Sequence, residues 1–82
     1  MKLGRYRHYK GREYGALGVV MHSETREKLV LYRPLYLCTE LHNEYGDDPW
    51  FVRPYAMFHE QVKVDGRAVP RFEYVGPLPT PP

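Results

Sequence analysis

Hydrophobic and polar positions along this chain recur mostly with the two-residue period of half-buried strands. The densest apolar stretch is E-K-L-V-L-Y-R-P-L-Y at residues 27–36. On a strand, Leu29, Leu31 and Arg33 share one face, and Val30, Tyr32 and Pro34 the other. A strand apolar on both faces belongs inside a sheet or barrel, so the flanking segments are expected to pair with it. Pro34 has no N–H to donate and holds Arg33 extended, so the ladder is expected to end there.

The other segments extend this pattern in both directions. Residues 4–9 alternate as a first strand, and Lys10-Gly11-Arg12 reads as a turn. A second strand over 13–22 puts Tyr14, Ala16, Gly18, Val20 and His22 on one face. Gly18 in its middle predicts a bulge or sharp bend of the kind small barrels need at their corners. The polar link around Ser23, Glu24 and Thr25 returns the chain into the 27–36 strand, giving a meander. Residues 37–49, with Gly, Pro and acidic side chains and no clean period, read as a surface loop with room for one helical turn. A short strand over 50–53 is stopped by Pro54, 55–58 forms one tight helical turn, and 61–64 resumes the alternation. Asp65-Gly66 is the strongest turn signal, a two-residue link favouring a primed hairpin turn into 67–69. Residues 72–75 follow as a last edge strand. The expected product is one all-β domain over 1–76, a small barrel of about five or six strands with one short helical turn. The G-P-L-P-T-P-P ending leaves 77–82 as a frayed, polyproline-type tail.

Composition narrows the setting. A chain of 82 residues and 9.7 kDa is one domain with a thin core, burying roughly two-thirds of its unfolded surface. Eight Tyr against three Phe suits a small β domain, whose rings pack at a rim while hydroxyls stay wet. The single cysteine, Cys38, excludes an internal disulfide and fits a reducing cytoplasm. No apolar run is long enough to span a bilayer, and the N-terminus lacks a signal-like apolar region, so a soluble, cytoplasmic protein is expected. A net charge of +2 permits weak attraction to polyanions without requiring it.

Five stretches carry a resemblance: G-R-Y-R-H-Y-K-G at 4–11, Y-G-A-L-G-V-V-M-H-S-E-T at 14–25, L-V-L-Y-R-P-L-Y at 29–36, F-V-R-P-Y-A-M-F at 51–58 and V-D-G-R-A-V-P-R-F at 64–72. In this order they resemble a family of small bacterial proteins known only as a domain of unknown function. The resemblance implies an SH3-like barrel and transfers no catalytic residue. The chain departs from the family's pattern at Pro34, where Ala is usual, and in its longer link before Trp50.

Known chemistries are mostly excluded by spacing. His59-Glu60 opens like a zinc-protease motif, but Lys63 stands where the second histidine is needed. Cys38 and His42 would share one face of a helix, yet two ligands do not make a metal site. Ser23 lies between His22 and Glu24 without a nucleophile-elbow context, and no phosphate-cradling glycine motif is present. Neither metal nor cofactor is expected.

Three surface groups remain. Tyr32, Arg33, Tyr36, Trp50 and Arg53 are expected to converge if the third and fourth strands pair, because an arginine precedes proline at the end of each. Forked guanidiniums beside aromatics suit a carboxylate, a phosphate or an extended peptide. The bland alternative is that each arginine is a rim residue paired with an acid. The basic and aromatic N-terminus, with Lys2, Arg5, Tyr6, Arg7, His8, Tyr9, Lys10 and Arg12, could meet phosphates and stack on bases; the competing reading is a strand edge defended by charge. The proline tail could be a ligand for another protein's aromatic groove, against plain disorder. The expectation is a non-enzymatic binding module for an anionic small molecule, peptide or protein partner. Nucleic-acid binding is the second reading, and an enzyme-associated domain using His22 and Glu24 as an acid–base pair the third. Pairing of edges between chains would add an assembly role.

Overall fold

The alternating segments fold as strands. A computed structural model describes residues 1–79. In chain order it contains β1 (Gly4–His8), β2 (Glu13–Met21), β3 (Lys28–Pro34), a 3-10 turn (Thr39–Leu41), α1 (His42–Tyr45), β4 (Phe51–Pro54), α2 (Tyr55–Phe58), β5 (Gln61–Val64), β6 (Arg67–Pro70) and β7 (Phe72–Gly76). An antiparallel five-stranded sheet has the order β4-β3-β2-β1-β7, and β5 and β6 form a separate two-stranded ribbon. The sheet coils until its two edges approach: Arg53 on β4 lies over the Phe72 ring on β7, 5.4 Å away. This is an all-β, SH3-like small barrel. No helix among the described residues is long and apolar enough to cross a membrane.

As its two apolar faces demand, β3 lies between β2 and β4. Cross-strand partners share a face, so the register places Ala16 and Val19 of β2 with Tyr32 and Val30 on the inner side. The strict alternation expected through β2 fails between Ala16 and Gly18, where one extra residue shifts the parity and turns Gly18 and Val20 outward. Pro34 does not end the ladder on both sides. It still pairs with Tyr14, and the Leu35 N–H donates to the Glu13 carbonyl at 3.0 Å. Alternation then turns the Pro34 nitrogen toward β4, whose pairing stops at Tyr32 opposite Phe51, so no donor is missed.

The inner face is mostly aromatic. Phe58, delivered by the single turn of α2, stacks on Phe72 at 4.2 Å with the rings 2° from parallel. Tyr6 and Tyr32 meet Phe58 edge-on at 5.3 and 5.6 Å. Each such pair contributes about 0.5–1.5 kcal/mol beyond its buried area. The Tyr6 hydroxyl donates to the Lys2 carbonyl at 2.6 Å, so it is not buried unpaired.

The segment expected to fray from residue 77 instead crosses the outer face at first. A Cβ on Gly15 would lie 2.6 Å from Leu78 Cδ2 and 3.5 Å from Leu35 Cδ2, so glycine there leaves the seat that half-buried Leu78 takes. The rest of the expected tail, 80–82, lies outside the described residues.

Candidate functional site

The five residues expected to converge fall into three places. Strands β3 and β4 do pair, but antiparallel, so their C-terminal Arg-Pro steps lie at opposite ends of the pair. Arg53 stands opposite Val30 on the inner face, whereas Arg33 lies one step beyond the last pair, on the outer face. There its Nη1 donates to both oxygens of Asp48 at 3.0 Å, and Trp50 Nε1 donates to Asp48 Oδ2 at 3.2 Å. Tyr36 belongs to neither group. Its hydroxyl shares a 2.9 Å hydrogen bond with Tyr14, and the Arg12 guanidinium lies over its ring at 4.3 Å. Burial, then the bond to Tyr14, raises the Tyr36 phenol far above its ordinary value.

The inner group has the more useful chemistry. Arg53 Nε donates to the Tyr32 hydroxyl at 3.2 Å, and its guanidinium rests over Phe72. Its terminal nitrogens have no hydrogen-bond partner among the described residues and are not buried, so the fork is oriented and unspent. His8, paired with Phe72 across β1 and β7, meets that ring edge-on at 5.0 Å. Its Nδ1 accepts the Lys10 N–H at 3.2 Å, which places the proton of the neutral ring on Nε2. Burial first, then the charges of Arg53, Lys10 and Arg71, holds the imidazole below its usual pKa. Arg71 is the second cation here, answered by Glu60 at 3.1 Å. With neutral His8 beside an unpaired guanidinium, an incoming anion meets donors and net positive charge.

Tyr32 and Phe51 also line a cleft of about 500 Å³ completed by Leu41, Tyr45, Pro49, Trp50 and Val52. Its far wall comes from the 37–49 excursion, through the 3-10 turn and α1. A smaller hollow of about 250 Å³ lies between the end of β1 and the β5–β6 ribbon, with His8 and Tyr9 on one side and Val64 and Val69 on the other.

Residues 4–74 match the model of a family described as a protein of unknown function, DUF1653. The chain belongs to this family. A crystal structure of a DUF1653 protein from Bordetella bronchiseptica is similar over 100% of this chain and 95% of that one, with 38% identity and a TM-score of 0.81. A search of curated proteins finds no match. The DUF1653 match takes in β1 to β4 whole, the first three residues of β7, and the Arg53 group.

Tyr6, His22 and the basic N-terminal strand of the DUF1653 chain lie elsewhere. Tyr6 is a core residue whose phenol is raised by burial and then by Tyr74 and Tyr55. His22 accepts the backbone N–H groups of Glu24 and Thr25 on Nδ1, at 3.2 and 3.3 Å, so its ring braces the turn, and no hydrogen bond joins it to the Glu24 carboxylate. The basic N-terminal strand is interior, between β2 and β7, and not an edge. Arg7 pairs with Glu13 at 3.2 Å, while Lys2 and Arg12 lie over the rings of Tyr74 and Tyr36. Sequence reasoning passed over Phe72, Phe51 and Asp48. Phe72 and Phe51 were findable as aromatics on short strands near each end of the sheet; Asp48 had no signal beyond its charge.

Proposed function

We propose that this DUF1653 chain is a non-enzymatic binding module that holds an anionic group at Arg53. The observation that supports this most is the oriented fork: Tyr32 and Phe72 fix the guanidinium, and nothing among the described residues neutralises it. Arg71 is already paired with Glu60, so the uncancelled charge is that of Arg53, and neutral His8 offers its Nε2–H as a further donor. A carboxylate or phosphate accepting both terminal nitrogens gains charge-assisted bonds of about 1.5–3 kcal/mol each. Arg33, with its Nη1 engaged by Asp48, is the lesser candidate, and Trp50 stands with it.

The test is a titration with acetate and with phosphate, followed by NMR of the arginine side chains and of the backbone. Arg53 resonances should move saturably, and Arg53→Lys, which keeps the charge but loses the fork, should weaken binding about tenfold with the fold intact. Lys2→Ala and Arg12→Ala should change it less than twofold. Binding that is lost through those N-terminal cations and falls steeply with salt would replace this reading with nucleic-acid binding.

A further inference from the structure

The cleft touches three successive residues, Trp50, Phe51 and Val52. Successive side chains on a strand point to opposite faces, so a hollow that reaches all three runs along the edge of the strand. Among the described residues no strand is hydrogen-bonded to that edge: β4 ends the sheet order and approaches β7 only through the Arg53 side chain over Phe72. Its hydrogen-bonding state follows from Pro54. A proline cannot exchange both ladder bonds with its partner Leu29, so the doubly bonded pairs are Arg53 with Val30 and Phe51 with Tyr32. Val52, between them, turns its N–H and C=O away from β3, and neither group has a backbone partner outside the ladder among the described residues.

We infer that this edge accepts an extended peptide as an added strand, and that the peptide carries an acidic side chain opposite Arg53. The inference rests on the anion reading of Arg53 and names its ligand. A peptide residue beside Val52 completes the two open backbone bonds, which supply affinity without regard to sequence. The next position in one direction lies opposite Arg53 on the inner side, about 4.5–5.5 Å away by the spacing of cross-strand neighbours, where a carboxylate meets the unspent fork. Two positions from that acid, a second inward residue faces Phe51 and Tyr32 and must be apolar. The residue between them points outward, beside Val52. Leu41, Tyr45 and Pro49 form a wall that covers the incoming strand, which a bare sheet edge lacks.

The experiment screens a positional library of acetylated, amidated hexapeptides against the intact chain, then repeats it on the best sequence with single backbone N-methylations. The expected selection is Asp or Glu with an apolar residue two positions away. One N-methylation should cost tenfold or more, and the Val52 amide should become protected from hydrogen exchange. If acetate and phosphate engage Arg53 but no peptide is selected, or N-methylation and Val52 exchange are indifferent, strand addition is wrong and the anion site stands. If peptides protect Val52 while Arg53→Gln leaves the acidic preference unchanged, the anion reading is the part that fails. If neither peptides nor small anions bind, both fall.

Discussion

Arg33 and Arg53 begin alike and end differently. Each is half-buried, each precedes a proline, and each lies at the end of one of two paired strands. Arg33 is met by Asp48 from the excursion and held in a three-part link with Trp50. Arg53 is met by a phenol and an aromatic ring, partners that orient a guanidinium without cancelling its charge. The first arrangement ties the excursion to the sheet; the second keeps a charge ready. A motif of two residues does not decide between them. The face of the strand does.

The largest effect expected from breaking this contrast is on the inner side. Phe72 is buried against Phe58 and supports Arg53, so Phe72→Ala should cost about 3–5 kcal/mol in chemical denaturation. Trp50→Ala, on the outer side, removes a ring that is 59% exposed and should cost about 1 kcal/mol or less. Equal losses would mean that the two arginines sit in equally built surroundings.

The difference in cost mirrors what the sequence made legible. The alternation of 27–36 marked β3 as interior because its apolar residues fall on both parities, and Asp65-Gly66 marked its hairpin because both residues need positive φ, observed at 52° and 80°. Gly18 marked the bulge. The proposed site was legible only in part: Tyr32 and Arg53 stood among the five candidates, but which of the five would meet depended on strand direction and on parity, which two short strands do not reveal until their register is known. Antiparallel pairing sends the two Arg-Pro steps apart, and the pairing of Asp48 with Arg33 is a loop contact with no periodic signal.

The next effect in size tests how firmly the aromatic bed is anchored. The β5–β6 ribbon leads directly into Arg71 and Phe72, and its turn depends on Gly66. A Cβ there meets no atom within 4 Å, so the cost of Gly66→Val is conformational, about 1 kcal/mol or more. An unchanged melting midpoint would show the ribbon to be independent of the barrel, and the bed to be held by the sheet alone. Smaller again is Asp48→Asn, which releases Arg33. An exposed ion pair is worth about 0–1 kcal/mol, so stability should scarcely change, while Arg33 should begin to respond to added phosphate as Arg53 does. A loss of several kcal/mol would make the pair a structural element, and the contrast between an anchored and a ready arginine would have another basis.

The smallest effect reads the charge of Arg53 through its neighbour. His8 is held below its ordinary pKa by burial first, then by Arg53, Lys10 and Arg71, so the unfolded chain takes up the proton more readily than the folded one. Where the unfolded state binds more protons, stability rises with pH. The His8 contribution is therefore complete above about pH 6.5 and is lost as pH falls from there through the lower folded value. Because the ring is partly exposed and screened, the melting temperature should fall only slightly further between pH 7.5 and 5.5 than it does in His8→Gln, which lacks the titration. Arg53→Gln should shrink that drop without abolishing it, since burial remains the larger cause. An unchanged drop in Arg53→Gln would mean that the guanidinium does not act on the imidazole, and the inner arginine would then lose its claim to an uncancelled charge.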